Sequence, residues 1–356
     1  MKTKLCILFG GRSSEHEVSL SSSYAVLGNV DRDKFDVFSV GITKEGKWYL
    51  YTGDIEKIKD GSWILDGENL ADVVFDPAPG GENFVVLTKD GAVRERLTAD
   101  VVFPVLHGAN GEDGTVQGLL EVARIPFVGP DHTSSGVCMD KSFTKRIINE
   151  ERGVRQAMAV ILTEREYNRD REGTARKIGQ MGYPVFVKPA RAGSSVGVKK
   201  VKEEKDLASA LSVAFAEDDK ILVEEYIEGR EIEVAVMESE GVVVASEPGE
   251  IDPGFEFYDY DTKYLNDTAS YYIPARLDAE TAKKVRETAV KIFRALDCRT
   301  LSRVDFFVTD DNGIVFNEIN TIPGFTPISM YPKLFINGGM TYSEVITALV
   351  GSALKK

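Results

Sequence analysis

Leu301-Ser302-Arg303-Val304-Asp305-Phe306-Phe307-Val308, followed after a short turn by Ile314-Val315-Phe316-Asn317-Glu318-Ile319-Asn320, is the stretch that decides the fold. Both halves read as strands, because polar and apolar residues alternate with the period of two that puts successive side chains on opposite faces. Arg303 and Asp305 then project from one face while Val304 and Phe306 enter the other, and Glu318-Ile319-Asn320 repeats the pattern. If the two strands are neighbours, one polar face gathers Asp305, Glu318 and Asn320, three oxygen-bearing side chains suited to a hard cation such as Mg2+. An ordinary solvated sheet face shows the same alternation. Arg303 among the acids, and the turn Thr321-Ile322-Pro323-Gly324 directly behind them, shift the balance toward a site.

Three further segments carry chemistry. Val187-Lys188-Pro189 precedes Gly193-Ser194-Ser195-Val196-Gly197, a run of small residues whose N–H groups can approach phosphate oxygens while Lys188 supplies charge. It lacks the G-x-x-x-x-G-K-[ST] spacing of a Walker A loop, and alone it is as well explained as a simple turn. Phe255-Glu256-Phe257-Tyr258-Asp259-Tyr260-Asp261-Thr262-Lys263-Tyr264 is too polar for a core strand and too aromatic for a linker. It suits either a lid that carries Lys263 into a site or a surface loop packed on itself. Leu106-His107-Gly108-Ala109-Asn110-Gly111-Glu112-Asp113-Gly114 follows an apolar strand, where a ligand contact and a tight turn with a helix cap are both plausible.

The rest of the chain reads as α/β layers. A strand at 4–9, a glycine turn, a helix at about 17–30 and a strand at 35–42 open it. Gly10-Gly11 lacks the G-x-G-x-x-G spacing, which removes a nicotinamide oxidoreductase. From 43 to about 98 the texture changes to short segments, read as hairpins or a peripheral insertion without chemistry. The first domain is expected to span 1–135. Helix and strand alternate through 136–223, and 224–356 holds the acidic strand pair, a long helix at 278–296 and a terminal helix at about 341–354.

The chain has 356 residues, 43% of them hydrophobic and 28% charged, ample for two or three domains and a buried site. Lys and Arg number 43 against 57 Asp and Glu, a net charge of −14, which argues against nucleic acid and anionic membranes as partners. No run approaches the roughly 18 apolar residues of a membrane span, and the short apolar opening is not a secretory signal. The expectation is a soluble cytoplasmic protein. Cys6, Cys138 and Cys298, odd in number and set among apolar neighbours, read as buried reduced thiols.

Taken in order, these motifs resemble the D-alanine–D-alanine ligases of the ATP-grasp superfamily over essentially the whole chain. The resemblance is carried by Phe9-Gly10-Gly11-Arg12-Ser13-Ser14-Glu15-His16-Glu17-Val18-Ser19, by His107-Gly108 with Gly111-Glu112-Asp113-Gly114, and by Met139-Asp140-Lys141. It continues through Lys188-Pro189, Gly193 to Gly197, Tyr258-Asp259-Tyr260 with Lys263-Tyr264, Arg303-Val304-Asp305, and Glu318-Ile319-Asn320-Thr321 before Pro323-Gly324. It implies an ATP-grasp fold behind an N-terminal Rossmann-like substrate domain at 1–135. A central lobe at 136–223 and a C-terminal lobe at 224–356, with a Tyr-rich lid at 255–267, would complete it.

The same resemblance implies that Lys141 and Lys188 contact the phosphates of ATP, with Ser195 and the loop amides over them. Glu224, Glu225, Tyr226 and Ile227 resemble the hinge that binds adenine through its backbone, and Glu231 the residue that holds the ribose. Glu225 stands where family members often have Lys, a departure that bears on nucleotide affinity. Asp305, Glu318 and Asn320 match ligands of two Mg2+ ions, with Mn2+ an alternative and Glu318 the bridge. Glu15 resembles the acceptor for the first D-alanine's ammonium, His107 lies in that pocket, and Glu15, Ser194 and Tyr264 resemble a network that ties the lid shut. Ser329 resembles the residue that binds the second substrate's carboxylate, with Met330 beside it where Leu is usual. Arg303 and the N–H of Gly324 would stabilise the tetrahedral oxyanion, and Lys263 would meet the transferred phosphoryl group.

The activity so implied is ATP-dependent formation of D-alanyl-D-alanine through an acyl phosphate, a step of peptidoglycan precursor synthesis, by a cytoplasmic homodimer. D-lactate as second substrate is disfavoured by the intact Tyr-Lys-Tyr segment, and D-serine less so. A non-catalytic ATP-binding module is the remaining alternative, against which Arg303 and the metal ligands stand.

Overall fold

Residues 5–9 are apolar without alternation because both faces of the strand they form are covered. The computed structural model describes residues 2–252, 254 and 270–355. β1 (Thr3–Gly10) lies between β2 (Phe35–Ile42) and β7 (Val101–Pro104), parallel to both. Beyond β2 the sheet continues as an antiparallel meander of β3 (Trp48–Tyr51), β4 (Leu70–Phe75), β5 (Phe84–Leu87) and β6 (Val93–Leu97). The segment read as hairpins or an insertion thus extends the first sheet, and Trp63 from it packs edge-on to Phe9 at 4.8 Å. α1 (His16–Asn29) follows β1, α2 (Ile55–Lys59) packs against α1, and α3 (Thr115–Val122) covers Cys6, Leu8 and Val102 on the other face.

α4 (His132–Met139) and α5 (Lys141–Ile148) lead through β8 (Arg155–Gln156) to a four-stranded antiparallel sheet. That sheet has the order β11 (Lys199–Val201), β10 (Val185–Pro189), β12 (Lys220–Glu225), β9 (Ala159–Thr163). α6 (Glu164–Arg169), α7 (Arg171–Gly179) and α8 (Leu207–Glu217) flank it, and Leu207, Leu211 and Ala214 of α8 meet Val185, Val187, Ile221 and Val223.

The third sheet contains β13 (Arg230–Ser239), β14 (Val242–Ala245), β15 (Gly249–Asp252), β16 (Ser270–Tyr272), β17 (Leu301–Val308) and β18 (Ile314–Asn320). β8 joins it in parallel beside β18. α9 (Ala279–Ala295), capped by Asp278 on the N–H of Thr281 at 2.9 Å, buries Val285, Ala289, Ile292 and Phe293 against Ile232, Val234, Val304 and Phe306. The opposite face, Ala235, Met237 and Leu301, packs with α10 (Met330–Asn337) and α11 (Tyr342–Ala353). Those two helices share one core with Leu5, Ile7, Phe9 and Phe103 of the first sheet, so the C-terminal helices are the filling between two sheets.

A boundary at 135/136 falls inside α4, and one at 223/224 inside β12, whose ladder with β10 runs through Glu225. Cys138 and Ile148 are buried with α9 and β17, so α4 and α5 belong with the third core although the sequence reading put them with the central lobe. The reason is burial partner: of the large apolar residues of α5 only Ile148 is buried, in the third core, while Phe143 and Ile147 are exposed, which no local pattern announces. All three cysteines are buried and reduced. No helix among the described residues is long and apolar enough to cross a membrane.

Because Leu349 of α11 is fully buried between the two sheets, Leu349→Ala should cost about 2–5 kcal/mol. Val122→Ala, at an exposed position, should stay within about 0.5 kcal/mol. Urea-unfolding midpoints compare the two, and equal midpoints would contradict the shared core.

Candidate functional site

β17 and β18 are antiparallel neighbours, with Asp305 directly opposite Glu318 and Arg303 opposite Asn320. A register shift after Asp305 leaves Asn317 as the extra residue, a bulge that redirects the strand end. Two carboxylates facing each other across a ladder repel, and the structure answers with cations. Arg303 donates from Nε to Asp305 Oδ1 at 2.8 Å and from Nη2 to Oδ2 at 2.7 Å, and its Nε lies 3.1 Å from Glu233 Oε2 on β13. Burial works against the guanidinium charge, but Asp305 and Glu233 outweigh it and hold the Arg303 pKa well above its ordinary value. Asn320 donates to Asp305 Oδ2 at 3.0 Å, and Lys141 Nζ lies 3.3 Å from Glu318 Oε2. Among the described residues no group of three or more His, Cys, Asp or Glu has metal-holding geometry. The set here is two carboxylates and an amide, all oxygen donors, which fits a hard divalent cation.

Lys141 is the first residue of α5, whose N-cap Asp140 accepts from the N–H of Ser142 at 3.0 Å and pairs with Lys220. That cap fixes where Lys141 leaves the helix, and its Nζ also donates to the Ala192 carbonyl at 2.9 Å in the small-residue loop. Ser194 and Ser195 in this loop hold φ of +48° and +58°, the left-handed region that non-glycine residues rarely enter. The strained turn aims Ser194 Oγ at Glu15 Oε1, to which it donates.

Glu15 lies just before α1, buried where two glycines approach it. A Cβ on Gly108 would stand 2.5 Å from Glu15 Oε2, and one on Gly193 2.9 Å. Ser13 receives the Glu15 N–H at 3.0 Å and donates to the His107 carbonyl at 2.7 Å. His107 Nδ1 lies 3.1 Å from the Ile322 carbonyl, which can only accept, so Nδ1 carries a proton. Its Nε2 meets Ser22 Oγ at 3.0 Å, and that hydroxyl accepts the Phe325 N–H at 3.1 Å. Burial lowers the His107 pKa, but Glu112 and Glu15 outweigh it and raise it.

A cavity of about 360 Å³ opens between the central and third sheets. Lys141, Lys188, Ser194 and Ser195 line one part of it, Glu224, Glu225, Tyr226 and Ile227 another, and Glu231 and Glu318 a third. Lys188 Nζ lies 2.6 Å from Glu224 Oε2. Burial pushes the Glu224 carboxyl up, but Lys188 and Lys145 outweigh it and hold it below its ordinary value. Glu225 accepts the Met158 N–H at 2.8 Å, and the Tyr226 ring lies between Phe186, 6.0 Å away, and Lys200 Nζ, 3.9 Å from its centroid.

Of the described residues still to be placed, Gly324, Ser329 and Met330 are not part of this lining. Gly324 approaches Ser329, whose Oγ accepts the Thr326 N–H at 3.1 Å, and a Cβ on Gly324 would meet that Oγ at 2.8 Å. Met330, the first residue of α10, is buried in the core beside Gly249. Lys263, Tyr264 and most of the Tyr-rich segment lie outside the described residues. Sequence reasoning passed over Glu233 and Lys145. Each had a periodic signal: Glu233 is two residues from Glu231 on a strand, and Lys145 is four from Lys141 on a helix.

Family models described as the D-ala D-ala ligase N-terminus and C-terminus match residues 4–130 and 148–351. A D-alanine–D-alanine ligase of Acetivibrio thermocellus is 49% identical over 100% of this chain and 96% of its own, and one of Caldicellulosiruptor bescii is 46% identical over the same shares. Among solved structures, the VanG D-Ala:D-Ser ligase of Enterococcus faecalis superposes with a TM-score of 0.89 at 40% identity, covering 99% of this chain and 100% of that one. The D-alanine-D-alanine ligase of Coxiella burnetii gives 0.86 at 32% identity, covering 99% and 94%.

Arg303→Gln removes the cation between Asp305 and Glu233 and should cost about 3–5 kcal/mol, the usual penalty for stranding buried charge. Millimolar Mg2+ should recover part of that loss in the variant. Thermal melts with and without Mg2+ test this, and a variant as stable as the parent in both would refute the electrostatic account.

Proposed function

The chain belongs to the D-alanine–D-alanine ligase family, and from that membership we propose that it joins two D-alanines into D-alanyl-D-alanine at the expense of ATP, for peptidoglycan precursor synthesis. The observation that carries the site assignment is the opposed pair Asp305 and Glu318, with Glu318 also lining the cavity that Lys141 and Lys188 line, an acidic face suited to a cation next to lysines suited to phosphates.

In this reading the nucleotide lies in the cavity. Lys141 and Lys188 meet its phosphates, the amides of the loop at 193–197 cover them, Glu224 to Ile227 hold the base, and Glu231 holds the ribose. Asp305, Glu318 and Asn320 would hold two Mg2+ ions, which neutralise charge on the transferred phosphoryl group when bound. Glu15, anchored by Ser13 and Ser194, accepts the ammonium of the first D-alanine, and His107 shapes the same pocket. Carboxylates are poor electrophiles, so the γ-phosphoryl group passes to the first substrate's carboxylate, giving an acyl phosphate and ADP. The amine of the second D-alanine, placed by Ser329, attacks that carbonyl, and phosphate leaves. The oxyanion of this step falls to Arg303 and the Gly324 N–H, donors already oriented by Asp305, Glu233 and the turn after β18. Lys263 and Tyr264 belong to the covering segment that excludes water from the acyl phosphate.

D-serine as second substrate is the alternative with a specific observation behind it, the likeness to a D-Ala:D-Ser ligase along nearly the whole of both chains. We assign the protein to the cytoplasm, where ATP is available, and as a homodimer on family grounds.

Phosphate release from ATP and Mg2+ should require D-alanine and be weaker with D-serine, D-lactate or L-alanine. Absence of D-alanine-dependent release would sink the proposal, and faster turnover with D-serine present would transfer it to the alternative. Glu318→Gln should lower turnover by at least about a thousandfold while the circular dichroism spectrum is unchanged. Near-parental turnover in that variant would show that the cation site is elsewhere.

A further inference from the structure

Lys145 is a buried cation with no part in the chemistry above. It lies one helical turn beyond Lys141 on α5, so the two lysines leave the same side of the helix. Lys141 lines the cavity; Lys145 reaches behind it, its Nζ 2.9 Å from Glu224 Oε1 and 3.1 Å from the Ala157 carbonyl. The other oxygen of the same carboxylate lies 2.6 Å from Lys188 Nζ. One buried carboxylate is therefore shared between two buried ammonium groups. Glu225, next along β12, turns to the Met158 N–H and adds only a weaker attraction for the Lys145 ammonium.

Charge balance gives the arrangement a purpose. Glu224 and Lys188 alone make a neutral pair, and a lysine neutralised at 2.6 Å attracts a phosphate weakly. With Lys145 on the far oxygen, the triad carries one surplus positive charge, and of its two ammonium groups the one that lines the cavity, beside Glu224, is Lys188. We propose that Lys145 is a positioning residue that takes up half of the Glu224 carboxylate and so leaves the charge of Lys188 for the nucleotide phosphates. The proposal rests on the reading of this cavity as the ATP site. It separates two duties of Glu224, which sits at the base-binding edge and at the root of the phosphate-binding lysine.

Calorimetric titration of the full chain with ATP and with adenosine, in Mg2+, tests it. For Lys145→Met the affinity for ATP should fall about tenfold or more, while that for adenosine stays within about twofold. Lys145→Arg should keep the parental preference for ATP over adenosine. In the double variant Lys145→Met with Glu224→Gln the triad again carries one positive charge, and the ATP-to-adenosine affinity ratio should return toward the parental value. In steady state, Lys145→Met should raise KM for ATP and leave KM for D-alanine unchanged. ATP affinity unaltered in Lys145→Met, or ATP and adenosine weakened by one common factor, would overturn the proposal. Failure of the parental protein to bind ATP would instead overturn the nucleotide reading beneath it.

Discussion

The structure turns on two carboxylates held in register, Asp305 on β17 and Glu318 on β18. Left alone they would repel across the ladder, and the surrounding elements are arranged to prevent it. β13 supplies Glu233 as a second anchor for Arg303, so the guanidinium bridges two carboxylates on neighbouring strands and is not committed to Asp305 alone. α5 delivers Lys141 to Glu318 from the opposite side, and the same ammonium ties down the small-residue loop through Ala192. That loop in turn reaches Glu15 of the first domain through Ser194. A chain of polar contacts thus runs from the third sheet through the loop to the start of α1, and it closes around the space where charge must be transferred.

Much of this was visible in the sequence because it is periodic. Alternation in 303–306 and 318–320 put Asp305 and Glu318 on facing positions of two strands, and the apolar run of 5–9 read as a strand, which the fold covers on both sides. Partnership was not visible. The meander of β3 to β6 reads as detached hairpins until β3 is seen to pair with β2, and α4 and α5 were grouped with the strands that follow them, although Cys138 and Ile148 are buried against α9. Lys145 and Glu233 share faces with residues that were singled out, but a shared face does not reveal what lies across from it. Only the fold brings Glu224 within reach of Lys145, and Arg303 within reach of Glu233.

The overall charge of −14 looks ill suited to an anionic nucleotide, and the resolution is local. Lys141, Lys145, Lys188 and Arg303 are drawn inward and held there by acids that are themselves buried, while most of the remaining acids face solvent. Interior charges are screened less than surface ones, so these few enclosed cations count for more at the cavity than the solvent-facing acids do.

The position of α10 and α11 has a consequence for how the protein comes into being. The face of the first sheet that carries Leu5, Ile7, Phe9 and Phe103 is covered by α1 and Trp63 and also by α10 and α11, two helices far downstream at 330–353. A ribosome makes those helices only after residues 1–329. The core of the first domain is therefore completed only when α10 and α11 arrive, so its last packing contacts form late in synthesis.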